Sequence, residues 1–154
     1  MQAKNKRILG ALLLAVGVSL SSPLWLALRP VEIIAVYDDK NFSDVLVKNF
    51  PFTDKGKISW WVENRDFLKD HYFIPKPSSS GHFSITFWNF GDGYKEKDKY
   101  DRLCFDSMKT KVNCIEKDAI LIVSNDRDKN AFFTVDNGRY MLKKDGEVVK
   151  IEDW

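Results

Sequence analysis

Residues 42–72, FSDVLVKNFPFTDKGKISWWVENRDFLKDHY, contain the change of period on which the fold turns. Phe42–Phe50 is short, rich in strand-forming residues and stopped by Pro51, whereas from Lys55 the apolar residues recur at helical spacing. Thr53 or Asp54 can cap that helix, and the pattern carries it to Tyr72. Ile58, Trp61, Val62, Leu68 and Tyr72 occupy one arc, the face that packs on a sheet. Trp60 and Phe67, seven residues apart, fall on the other side, roughly 120 to 180° away at 100° per residue, with His71 beside them. One helix therefore carries two apolar faces, and the second suits an interface, since aromatics in an exposed patch supply interface anchors.

Reading back from Phe42, Asp38–Asn41 is a turn and Val31–Tyr37 (VEIIAVY) the strand before it. Reading forward, Pro75, Pro77 and Ser78–Gly81 form a loop too short to separate domains. Phe83, Ile85 and Phe87 alternate with Ser84, Thr86 and Trp88 as in a half-buried strand, which Gly91-Asp92-Gly93 ends. Tyr94–Arg102 mixes both signs of charge and reads as a solvated loop. Ala119–Val123 (AILIV) is apolar on both faces and reads as a central strand. Residues 130–135, 139–143 and 147–151 continue as a meander joined by Asn137-Gly138 and Asp145-Gly146, the strongest hairpin signals in the chain. One helix followed by at least five strands predicts an α+β domain with a mostly antiparallel sheet of about 5–8 strands and the helix packed on it.

The chain has 154 residues, 44% hydrophobic and 30% charged, which suffices for one cored domain and excludes disorder. Its net charge of +2 is unevenly spread. Lys4, Lys6 and Arg7 are the only charges before Arg29; without them 21 bases face 22 acids, so the remainder carries about −1. No nucleic-acid footprint is present. Ile8–Leu28 is a run of 21 residues without a charged side chain, roughly 31 Å as a helix against a hydrocarbon core of about 30 Å. The basic cluster precedes it, so the N-terminus is placed in the cytoplasm. The expected organisation is a cytoplasmic basic tail (residues 1–7), a transmembrane signal-anchor in the inner membrane (8–28) and a periplasmic α+β domain (29–154). The competing reading is a signal peptide cleaved near Ser19-Leu20-Ser21, which would leave Leu24–Leu28 as an apolar mature terminus. Both readings export the domain.

Cys104 and Cys114, the only cysteines, bracket nine residues of turn-like composition in the exported part. A disulfide between them is expected, because an oxidising compartment permits it and closing an 11-residue loop is worth about 2.8 kcal/mol in the loop-entropy model.

The search for chemistry is mostly negative. No GxxxxGK[ST], HExxH, GxSxG or CxxC motif occurs. Gly91-Asp92-Gly93 has no helix after it to make a phosphate cradle, and Asp126, Asp128 and Asn130 lack the Gly and Glu that a calcium loop requires, so both read as turns. Asn41-Phe42-Ser43 matches a glycosylation acceptor but overlaps a turn. His71 and His82 have no recognisable nucleophile or metal partner. No catalytic residue, cofactor or metal site is expected; a carboxylate-dependent hydrolase is the residual enzymatic reading. The concentrated feature is aromatic: nine aromatics fall between Trp60 and Phe90, which read either as a large-residue core for a small domain or, at Trp60 and Phe67, as an exposed binding patch.

At PVEIIAVY (30–37), SDVLVKNFPFTDKGKISWW (43–61), FSITFWNFGDGYKE (83–96) and YDRLCFDSMKTKVNCIEK (100–117) the chain resembles the enterobacterial domain-of-unknown-function family 943. The resemblance spans nearly the whole chain and implies a small inner-membrane protein of Gram-negative enteric bacteria with an exported domain. It brings no activity and no catalytic residues; Ser78-Ser79-Ser80 is the visible departure. The resulting expectation is a membrane-anchored protein-binding domain. An immunity-type protein could block a toxin through Trp60, Phe67 and His71, with Tyr94 and Tyr100 on the rim. The alternative is a structural or assembly partner of an inner-membrane complex.

Overall fold

Thr53 starts the helix where the change of period places it, whereas the strand before it ends at Lys48, short of Pro51, because Asn49 is left-handed (φ 58). The Thr53 hydroxyl oxygen accepts the Gly56 N–H at 3.0 Å, an N-cap that satisfies one of the helix's open donors. The computed structural model describes residues 29–152. The chain divides after Pro30, and every element below belongs to the second unit, from Val31 onward. The expected tail and membrane span (residues 1–28) lie outside the described residues, among which no helix is long and apolar enough to cross a membrane.

The elements are β1 (Glu32–Asp39), β2 (Phe42–Lys48), α1 (Asp54–Tyr72), β3 (Ser84–Asn89), β4 (Lys95–Glu96), β5 (Arg102–Cys104), β6 (Val112–Glu116), β7 (Ala119–Asn125), β8 (Ala131–Val135), β9 (Gly138–Leu142) and β10 (Val148–Ile151). Seven strands form one sheet in the order β1-β2-β3-β7-β8-β9-β10, and three form a second in the order β4-β6-β5. The α+β class and the mostly antiparallel main sheet agree with the sequence reading. The exception is β2 against β3, which pair in parallel because α1 carries the chain back to the end where β2 began. A second difference is the small sheet: residues read as a solvated loop, 94–102, contain β4 and the start of β5. Its strands are too short, and their charges too many, to show a period.

Alternation assigns the two faces of the main sheet. Val45, Val47, Ile85, Phe87, Leu121, Val123, Phe133 and Val135 are buried toward α1, which contributes Ile58, Trp61 and Leu68. Val62 and Tyr72 are partly buried against the same core, so all five residues of the expected helix face reach it. On the opposite face Leu46, Phe105 and Ile115 form a second core beneath the small sheet, with Tyr37 stacked on Phe105 at 3.9 Å. The Cys104–Cys114 disulfide forms across directly paired positions of β5 and β6. Glu116, on the middle strand, accepts from Arg102 at 3.0 Å and Lys95 at 3.1 Å, one on each neighbouring strand. Those hydrogen bonds hold its carboxyl below the usual range.

Strand directions define two ends. One gathers the start of β1, the ends of β2 and β3 and the β8–β9 turn; the other gathers the β1–β2 turn, the α1–β3 loop and the β7–β8 and β9–β10 turns. α1 begins at the first end, where Asp54 accepts from Tyr140 Oη at 3.1 Å and Asn137 Nδ2 at 3.2 Å, and finishes at the second.

Candidate functional site

The aromatic surface lies at the far end of α1. Phe67 is 45% exposed and its ring stacks on His71 at 4.3 Å, as expected of residues four apart on a helix. His71 Nδ1 lies 3.1 Å from the Phe67 carbonyl oxygen, which fixes the ring's orientation. The helix stops at Phe73, whose backbone is left-handed (φ 57, ψ 32) and whose N–H donates to the Lys69 carbonyl, while the Ile74 N–H donates to that of Leu68. Glycine is the ordinary occupant of that position. Here a phenylalanine holds it, 71% exposed, so the site carries both backbone strain and uncovered apolar area.

On the other flank of the same helix end lies an open groove of about 510 Å³. Trp61, Phe83 and Leu142 supply apolar lining, and Arg65, Lys69, Lys129, Lys143 and Lys144 surround it against only Asp66 and Asp128. Lys143 is engaged by Glu147 at 2.7 Å. A domain near neutrality thus carries a local excess of positive charge beside its exposed aromatics, an arrangement that favours an acidic partner surface.

The structure separates the five residues expected to contact a partner. Phe67 and His71 come together as described. Trp60 does not join them: it packs edge-on against Phe50 at 5.0 Å and Phe87 at 5.7 Å and belongs to the core margin. The wheel argument put it off the core face; Phe50, arriving from the β2–α1 link, extends the core around the helix to meet it. Tyr94 sits beneath the small sheet, on the opposite face of the main sheet, with its hydroxyl 2.6 Å from that of Tyr37. Burial, reinforced by that hydrogen bond, pushes its phenol well above the ordinary range. Tyr100 is 61% exposed but stands beside Arg102 and Lys99 in the small-sheet region, apart from Phe67. Phe73 escaped selection because its exposure arises from a cap. The available signal was that Tyr72-Phe73-Ile74-Pro75 ends a helix without a Gly or Asn.

His82 Nδ1 is 3.0 Å from the Asn125 carbonyl oxygen, and among the described residues no group of three or more His, Cys, Asp or Glu side chains could hold a metal ion. Asp126 accepts from the Asn130 backbone at 2.8 Å and its side chain at 2.9 Å, closing a turn as expected.

These features define a small α+β domain with a disulfide-tied second sheet and an aromatic, basic-flanked helix end. The chain belongs to the DUF943 family, whose description reads "enterobacterial putative membrane protein" and whose model matches residues 2–152. No curated protein and no solved structure matches it.

Proposed function

We propose that this protein is a membrane-tethered periplasmic binding domain that captures a protein partner at the far end of α1. Residues 8–28 serve as a single span with the N-terminus cytoplasmic, in keeping with a family of membrane proteins. The disulfide supports an oxidising compartment for the domain. The observation that carries the binding reading is Phe73, an exposed aromatic retained in a strained conformation that a glycine would relieve. Phe67 and His71 supply the adjoining anchor, and the basic groove selects for acidic partners. Such a domain acts by occlusion, covering a surface of the partner rather than transforming it. An immunity-type role against an incoming toxin is one form of this activity.

Replacing Phe67 or Phe73 by the photo-crosslinking residue benzoylphenylalanine in the full-length protein, in its native membrane, tests the reading. Specific adducts from both positions, weakened by salt, are expected. Adducts no more frequent than those from an exposed control position would overturn it. Exchanging residues 8–28 for an unrelated anchor leaves the adducts intact if the domain alone binds, and abolishes them if the protein is an assembly factor working within the membrane.

A further inference from the structure

The first strand begins almost as soon as the apolar run ends: Arg29, Pro30 and Val31 alone separate Leu28 from Glu32. Four residue steps reach at most about 14 Å when fully extended, and Pro30, with its fixed φ, stiffens the link. Register then shows which segments share the end of the sheet at which β1 begins. Glu32 pairs with Lys48, and from there the chain runs through Asn49–Thr53 into α1. On that link Phe52 is 89% exposed, the most exposed large apolar side chain among the described residues, although its neighbour Phe50 is buried. Lys48, 5.3 Å above the Phe90 ring, and Lys55 are exposed at the same end, as are Asp92, Asp118 and Asp136. Two lysines face three aspartates there, so electrostatics does not draw this end to anionic headgroups and apolar insertion must dominate.

Resting on the reading of residues 8–28 as a membrane span, we infer that this end of the domain seats on the membrane surface with Phe52 inserted at the boundary between headgroups and acyl chains. The lysine stems lie along that boundary with their ammonium groups in water. This contact orients the domain so that Phe67 and Phe73 face away from the lipid.

Because both native cysteines are disulfide-bonded, Phe52→Cys introduces the one free thiol, and Phe73→Cys supplies a control at the opposite end. The full-length variants are labelled with an environment-sensitive dye and reconstituted in vesicles of phosphatidylethanolamine and phosphatidylglycerol. The expected result is blue-shifted emission at position 52, quenched by lipids brominated near the top of the chain and insensitive to salt, with water-like emission at position 73. A water-like signal at 52 while alkaline carbonate leaves the chain in the membrane overturns the seating alone. Release by carbonate together with a water-like signal overturns both the seating and the span; release with a lipid-quenched signal overturns only the span. A blue-shifted signal untouched by brominated lipid reports a second copy of the chain at Phe52 and overturns the lipid contact.

Discussion

Phe73 and Trp60 show how far neighbouring aromatics can differ in role. Trp60 is wedged between Phe50 and Phe87, so Trp60→Ser removes core area and should destabilise the domain by about 2–3 kcal/mol, measured by denaturant unfolding. Phe67→Ser should cost less than about 1 kcal/mol, since the ring is nearly half exposed. Phe73→Gly relieves a left-handed backbone and should stabilise by about 0.5–1 kcal/mol. A loss above about 2 kcal/mol in Phe73→Gly would make Phe73 structural. Asp44 gives a prediction of pH dependence. Burial raises its carboxyl above the ordinary value, only partly offset by the Trp88 Nε1 donor at 2.6 Å. The folded state therefore prefers the protonated form, and the wild type loses stability as pH rises through that raised pKa. Asp44→Asn keeps an acceptor for Trp88 without the charge. It should melt higher than the wild type at pH 7, with the gap closing below the usual carboxylate range; an equal or lower melting temperature at pH 7 would contradict the assignment.

At the scale of elements, what could be read from sequence was what had a period. β1, β2, α1, β3 and the β7–β10 meander lie within a residue or two of their expected places, because alternation, helical spacing and Asn-Gly or Asp-Gly turns are local properties. The parallel β2–β3 pairing was not readable, since strand direction follows from where a crossover returns. The small sheet was hidden for another reason. Lys95, Arg102 and Glu116 are ordinary surface charges in sequence and become a three-strand link only once β6 lies between β4 and β5. The disulfide was the exception, legible from compartment and loop length. Its removal in Cys104→Ser/Cys114→Ser should cost about 2–3 kcal/mol of stability, read from chemical unfolding under oxidising conditions. A change under about 0.5 kcal/mol would show that strand pairing alone holds the small sheet.

For the whole molecule, the account separates two ends with different tasks. The sheet end where β1 begins carries Phe52 and is the end proposed to meet the membrane; the other carries Phe67, His71, Phe73 and the basic groove and is the end proposed to meet a partner. Helix position alone could not distinguish them: Trp60 and Phe67 look equivalent on a helical wheel and differ because Phe50 covers only one of them. Of the surface expected to contact a partner, the sequence showed that Phe67 and His71 lie side by side, but not the exposure of Phe73, which comes from a cap, nor that Tyr94 and Tyr100 lie on a surface they do not share with Phe67. The most direct test of the account compares the full-length wild type with the Phe67→Ser/Phe73→Gly double variant in native membranes, following partner capture by crosslinking alongside the melting temperature. The account predicts a melting temperature within a few degrees of wild type and loss of the captured partner. Undiminished capture by a folded double variant would contradict it.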